Sequence, residues 1–219
     1  YSKIAIQKIF RLKGRPKYNP LIIHYFSLAE IHNDVIINDN FKKLYKKFCP
    51  GPITFILKKK ISSKIHPLAC AKLNTIAVRF PKHKIIRAIL KKINFPLAMP
   101  SANKTTQVSP VHSKDVFEEF KSKIQLIVDG GRSKVGIEST VIDLTSDPKI
   151  LRPGIIGSEI ISKVLKISLV NRSLKIKSPG MLKKHYSPGI PILLNQKTFD
   201  KRHAFITLGD KYKDNKNCF

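Results

Sequence analysis

Between Pro96 and Pro110 the chain reads PLAMPSANKTTQVSP, and this stretch constrains what can be built around it. Pro-Leu-Ala-Met is small and apolar and lies between Pro96 and Pro100, which predicts a short buried strand. Ser101-Ala102-Asn103 follows, and then mostly Thr, Gln, Ser, Lys and Pro. A strand that breaks into a hydroxyl- and amide-rich loop puts hydrogen-bonding side chains at its carboxyl end, where open α/β sheets bind ligands. The same residues also suit a polar turn in which Ser and Asn satisfy their own backbone. The rest of the chain has to decide between the two.

The pattern of a short apolar run ending in polar, Pro or Gly residues recurs. Apolar spacing predicts a helix from Ser2 to Lys13, with Ser2 as cap and Gly14 as stop. A proline-fixed loop, Arg15 to Pro20, leads to the strand Leu21-Ile22-Ile23, which ends at His24. An amphipathic helix is expected over 38–48, with Phe41, Leu44, Tyr45 and Phe48 on one face. Strands are expected at 53–57, 76–78, 124–128, 141–144 and 149–151, and helices at 83–93, 113–121 and 158–165. Lys58-Lys59-Lys60 reads as a solvated turn. Strands and helices intermingle, but several neighbouring strands lack a helix between them. The fold class is therefore α/β: a mixed, twisted sheet with helices on its faces.

From Asn171 the texture changes to a Pro/Gly-rich segment without periodicity, which reads as an inter-domain linker. The expected division is a domain over 1–166, a linker over 167–190 and the stub of a second domain over 191–219, with strands at 191–194 and 204–208. The ~30 residues after the linker are too few to bury a core of their own.

Composition narrows the partners. Of 42 basic residues eight are arginine and 34 lysine, against 14 acidic residues, giving a formal net charge of +28. Lysines scattered on outer faces account for much of this, yet such a surface attracts polyanions, so RNA contact is expected without an identity for the RNA. No run approaches the ~18 apolar residues of a membrane span, and no secretory signal is legible, which points to the cytoplasm and away from a membrane. Cys49, Cys70 and Cys218 have no metal-ligand spacing, so neither a zinc site nor a disulfide framework is expected. Both common glycine-rich nucleotide loops are absent.

The unusual polar residues fall at strand ends or in the loops beside them: Lys13, Arg15, Asn19, His24, Thr75, Arg79, Ser101, Asn103, Ser109, Ser139 and Arg152. With no carboxylate pair and no Ser-His-Asp set, general acid/base hydrolysis has little support. A basic pocket with hydroxyl and amide donors suits an anionic ligand such as a nucleoside triphosphate, with chemistry resting on positioning and charge neutralisation.

In order along the chain stand KGRPKYNPLIIH, PGPITFIL, NTIAVRFP, PLAMPSAN, VDGG, GIESTVIDL and ILRPG. Together they resemble the YrdC-like family of L-threonylcarbamoyl-adenylate synthases, over roughly residues 1–190. SPGMLKKHYSP is similar to the linker of the two-domain form of that enzyme. The resemblance implies a nucleotidyltransferase that makes threonylcarbamoyl-AMP and pyrophosphate from L-threonine, bicarbonate and ATP, with Mg²⁺. A partner complex would then transfer the threonylcarbamoyl group to tRNA, so tRNA or double-stranded RNA is an implied partner.

The family's Lys-x-Arg and Ser-x-Asn pairs match Lys13, Arg15, Ser101 and Asn103, which are the implied catalytic residues. By the same matching, Arg15, Asn19, Thr75, Ser101, Ser109 and Arg152 would contact ATP, and Tyr186 in the linker would close over it. His24, Arg79 and Ser139 would contact threonine, with the backbone at Met99, where the family usually has alanine. The family's opening Pro-Thr-Glu-Thr-Val-Tyr-Gly strand does not stand before Ser2, which leads to the expectation of a chain truncated at both ends and impaired in turnover. An RNA-binding module without adenylate chemistry, and an inactive gene remnant, are the alternatives.

Overall fold

A computed structural model describes residues 1–169, 190–196 and 202–207. The chain divides into two compact units, Tyr1–Pro188 and Gly189–Phe219. In the second unit the described residues form no helix, and Pro191 to Leu194 is irregular and exposed instead of the expected strand. Ile192, Leu193 and Leu194 are exposed, and an apolar run gains from forming a strand only where it is paired and buried.

The first unit is a six-stranded mixed sheet: β1 (Ile22–His24), β2 (Ile53–Lys58), β3 (Thr75–Arg79), β4 (Leu97–Ala98), β5 (Thr140–Asp143) and β6 (Lys149–Arg152). Their spatial order is β4-β1-β3-β2-β5-β6. Pairs β1–β3 and β2–β5 are parallel, while β1–β4, β2–β3 and β5–β6 are antiparallel. The helices are α1 (Lys3–Lys13), α2 (Leu28–Ile31), α3 (Asp39–Phe48), α4 (Lys84–Ile93), α5 (Ser113–Phe120) and α6 (Ser158–Leu165). None of the described helices is long and apolar enough to cross a membrane.

Local chemistry sets the helix ends where the sequence expects them. The Ser2 hydroxyl accepts from the Ala5 N–H, and Gly14 takes a left-handed turn at φ 58°, which a residue without Cβ adopts at no steric cost. Asn38 accepts from the Phe41 N–H and opens α3.

Strand alternation sorts side chains to two faces. Ile23, Val78, Phe55 and Ile142 stand in register on one face and share the main core with Ile6 and Phe10 of α1, Phe41 and Leu44 of α3, and Ile161 and Leu165 of α6. Phe41 meets Phe55 edge-on at 4.9 Å, and Tyr45 meets Phe80 edge-on at 4.8 Å, the arrangement that ring quadrupoles favour. The opposite face carries a smaller cluster of Ile22, Ala77, Ile56 and Val141.

Three expectations are corrected. Residues 124–128 form no strand, and Leu126 and Val128 are exposed: β-branched and apolar composition yields a strand only where a sheet edge offers pairing and burial. The strand before the Ser101 loop is two residues long and half-buried, because it lies at the sheet's edge with β1 on one side only. The Lys58-Lys59-Lys60 run is not simply solvated. Lys59 Nζ donates to the Ile65 carbonyl at 2.6 Å and Lys60 Nζ to the His32 carbonyl at 2.6 Å, so both pin loops.

Candidate functional site

On the face opposite the main core, one lateral row crosses five strands. His24 of β1 pairs with Arg79 of β3, Arg79 with Thr54 of β2, Thr54 with Val141 of β5, and Val141 with Arg152 of β6. Four polar side chains thus come to one line from segments far apart in sequence. The row coincides with the carboxyl ends of β1, β3 and β6 and the amino ends of β2 and β5.

Ser139, just before β5, closes the row from beneath. Its hydroxyl lies 2.8 Å from Thr54 Oγ1 and accepts from Arg152 Nη2 at 3.0 Å. Its carbonyl accepts from Arg152 Nε at 3.1 Å and Nη2 at 2.9 Å. All three side chains are buried, so each hydrogen bond replaces one that water would otherwise make. Gly154 lets this happen: a Cβ there would lie 2.4 Å from the Thr140 nitrogen and 2.7 Å from the Ser139 carbonyl carbon.

The loop after β4 supplies a second wall. Lys13, at the last turn of α1, is buried, and its Nζ donates to the Ser101 carbonyl at 2.6 Å and to the Asn103 carbonyl. The Thr105 N–H returns a bond of 2.8 Å to the Lys13 carbonyl. Asn103 is buried and folds its amide onto the carbonyls of Lys104 and Gln107, so its Oδ1 is left with no partner among the described residues. Arg15 is held by buried Asn19, through Nε to its carbonyl at 3.0 Å and Nη2 to its Oδ1 at 2.7 Å. Ser109 donates to Glu138 Oε1 at 2.7 Å, and Glu138 Oε2 lies 3.9 Å from Arg152 Nη2.

Charge is crowded here. Burial lowers the Lys13 ammonium to about 8, and nearby Arg15 adds to the effect. Burial and Arg152 lower Arg15 to about 10. Burial and Arg152 also depress Arg79, with Glu138 opposing. His24 is pushed down to about 3 by burial and by Arg79, so its imidazole is neutral near pH 7. Desolvated like charges that disfavour their own charged forms would be relieved by an anion.

Most of the sequence-derived residues therefore meet. Thr75 does not: it lies at the amino end of β3, paired with Lys58, on the same face as Arg79 but about 13 Å along the strand. The Met99 N–H donates to the Ile22 carbonyl at 3.1 Å. Tyr186 lies outside the described residues. Sequence reasoning passed over Thr54 and Glu138. Thr54 is the one hydroxyl in the ITFIL run, and Glu138 is one of only 14 acidic residues facing 42 basic ones, which are the signals that could have found them.

No all-protein cage for Mg²⁺ stands among the described residues: no group of three or more His, Cys, Asp or Glu there could hold a metal ion. A magnesium ion brought by a triphosphate would take its ligands from phosphate oxygens.

The family model Sua5_yciO_yrdC, described as "Telomere recombination", matches residues 1–154. The chain belongs to this Sua5/YciO/YrdC family. A second model, for the C-terminal domain of threonylcarbamoyl-AMP synthase, matches residues 156–218. The threonylcarbamoyl-AMP synthase of Pyrococcus abyssi is 37% identical over 96% of this chain, and that of Bacillus subtilis 36% identical over 87%. The chain spans 64% and 57% of their respective lengths. The crystal structure of the Pyrococcus abyssi Sua5 complexed with L-threonine superposes with a TM-score of 0.80 and 38% identity, covering 84% of this chain and 56% of that one. The Sua5/YciO/YrdC architecture expected from the sequence is thus the one found.

Proposed function

We propose that this chain carries the catalytic site of a threonylcarbamoyl-AMP synthase, converting L-threonine, bicarbonate and ATP into threonylcarbamoyl-AMP and pyrophosphate. The observation that carries the reading is the meeting of Arg79 and Arg152 at the Thr54–Ser139 pair, with Arg15 near enough to Arg152, and Lys13 to Arg15 and Glu138, for their charges to interact. The named relatives, and a structural neighbour that binds L-threonine, support the same reading.

In this scheme threonine lies across the sheet row, its carboxylate toward Arg79 and its hydroxyl or amine toward Ser139, neutral His24 and the Met99 carbonyl. Arg15, Asn19, Ser101, Ser109 and Arg152 take the nucleotide's phosphates and ribose, and Thr75 lies toward the far end of an extended nucleotide. Tyr186 closes over it. The threonine amine and bicarbonate condense to a carbamate with loss of water. A carbamate oxygen then forms a bond to the α-phosphorus as the bond to pyrophosphate breaks.

Both reactants are anions, so the protein's contribution is to bring them together. Lys13 and Arg15 face the phosphates, and Lys13 also holds the Ser101–Asn103 loop in place through its two carbonyl contacts. Removing one charge-assisted contact that strengthens in such a transition state costs on the order of 3 kcal/mol. The product would pass to a transfer complex that modifies tRNA in the cytoplasm, and the lysine-rich surface supports attraction to that polyanion.

The test is pyrophosphate release by the whole protein with ATP, threonine and bicarbonate, each omitted in turn. Release that requires all three, with threonylcarbamoyl-AMP identified by mass, is the expected result. Release indifferent to threonine and bicarbonate would sink the reading.

A further inference from the structure

The acidic residue inside this basic site has a role that the proposed reaction does not give it. Glu138 Oε1 accepts the Ser109 hydroxyl at 2.7 Å, and Oε2 faces Arg152 at 3.9 Å. Its charge also favours the protonated forms of Lys13 and Arg79. One carboxylate therefore engages Ser109 and Arg152 and acts by charge on Lys13, three groups that the proposed reading, on which this inference rests, assigns to phosphates.

A serine hydroxyl has a single hydrogen to donate. Ser109 cannot give it to Glu138 and to a phosphate oxygen together, and neither of those acceptors can replace it. We propose that the Glu138 carboxylate is a built-in competitor for the phosphate contacts of this site, which a nucleotide gains only by displacing it.

The position of Glu138 suits displacement. Its side chain is 21% exposed, against 9% for Arg152, so a displaced carboxylate can rehydrate at the site's rim. Ser139, the next residue, is fixed by Thr54 and Arg152. Gly136, two residues before, holds φ 71°, a conformation that glycine adopts freely. The side chain thus sits between a fixed point and a permissive one.

The consequence is a threshold. Displacing Glu138 costs the same whichever anion does it, so every ligand's affinity falls by one factor. A ligand with several phosphate charges recovers that cost from Arg152, Arg15 and Lys13, whereas a monophosphate, which trades one anion for another of similar charge, recovers little.

The experiment is isothermal titration of the whole protein with ATP, AMP and inorganic pyrophosphate, in the wild type, Glu138→Gln and Glu138→Ala. Gln removes the charge and keeps an acceptor for Ser109, and Ala removes both. Either variant should bind pyrophosphate and ATP about tenfold more tightly, the scale set by one unit charge a few ångströms away in a partly screened site. The relative gain should be the same for AMP, because displacing Glu138 costs the same whichever anion does it. A purely structural glutamate would do the opposite, because its loss would loosen Ser109 and Arg152. Unchanged or weaker pyrophosphate binding in whichever variant folds overturns the proposal. Because pyrophosphate binding needs no turnover, tighter binding in a protein that fails the threonine-dependent assay would leave the competitor role standing and reject only the proposed reaction.

Discussion

Arg152 turns its guanidinium back onto Ser139, donating from Nε and Nη2 to its carbonyl and from Nη2 to its hydroxyl. In the proposed reaction Arg152 serves the nucleotide and Ser139 the threonine. The two halves of the substrate set therefore meet at one buried contact between β6 and the residue that precedes β5. Substitutions there are expected to couple nucleotide and threonine binding.

Arg152→Ala should weaken ATP binding by roughly 10- to 100-fold, the range for a charge-assisted hydrogen bond lost from a buried site. Threonine binding should weaken with it, because Ser139 loses its fixing partner. Lys46→Ala, on the exposed side of α3, should change neither. Titration calorimetry decides, and equal effects from both variants would reduce the attraction to bulk charge.

Lys13 sets a pH dependence. Its folded value of about 8 lies below the ordinary 10.5, so the unfolded chain binds more protons between the two and folding stability rises with pH across that window. Anion binding runs the other way, since it needs the ammonium. ATP affinity should fall as pH rises from about 7.5 to 9.5, with proton uptake on binding in the same range. Lys13→Arg, which stays charged, should flatten the profile. A fall of the same size in the arginine variant would place the titrating group elsewhere.

His24 should govern part of the acid sensitivity. Its folded value of about 3 is depressed from 6.5, so the unfolded chain binds more protons between the two, and stability is lost as pH falls through that window. The loss approaches about 1.4 kcal/mol per pH unit once the unfolded imidazole is largely protonated and the folded one is not. Urea titrations at pH 7 and pH 5 should differ less in His24→Gln than in the wild type. An identical difference in both proteins would show that His24 is not the group responsible.

Gly154→Ala should damage the site more than its size suggests. The new methyl would lie 2.4 Å from the Thr140 nitrogen and 2.6 Å from the Glu138 carbonyl oxygen, both backbone atoms, so the segment bearing Ser139 must shift. Overpacking of this kind costs about 1–3 kcal/mol. Thermal unfolding and threonine binding should both suffer. A variant with unchanged melting and unchanged affinity would mean that the chain accommodates the methyl without moving Ser139.

The order of elements was legible because its signals are local. Ser2 and Gly14 bracket α1, Asn38 opens α3, and apolar spacing over 158–165 marks α6. Motifs brought Lys13, Arg15, Ser101, Asn103, Ser139 and Arg152 forward as site residues; Lys13 ends α1, and the others occupy a strand end or an adjoining loop. Residues 124–128 show the limit of local signals: an apolar run ending in Asp129-Gly130-Gly131 reads as a strand, but a strand needs an edge to pair with, and that is not written within the run.

The sequence by itself determined which residue types could form the site and where five of the six described helices lie, α2 being the one it missed. Tertiary structure decided the row. His24, Arg79, Thr54 and Arg152 stand side by side only because β1 and β3 run parallel while β2 and β6 run against their neighbours β3 and β5. Registers between distant segments come from side-chain packing on both faces of the sheet, not from the spacing of any one strand. The same long-range pairing set Glu138 among the cations. That placement does not follow from neighbours in sequence, because the Coulomb energies and hydrogen bonds involved depend on distances that exist only once the sheet has formed.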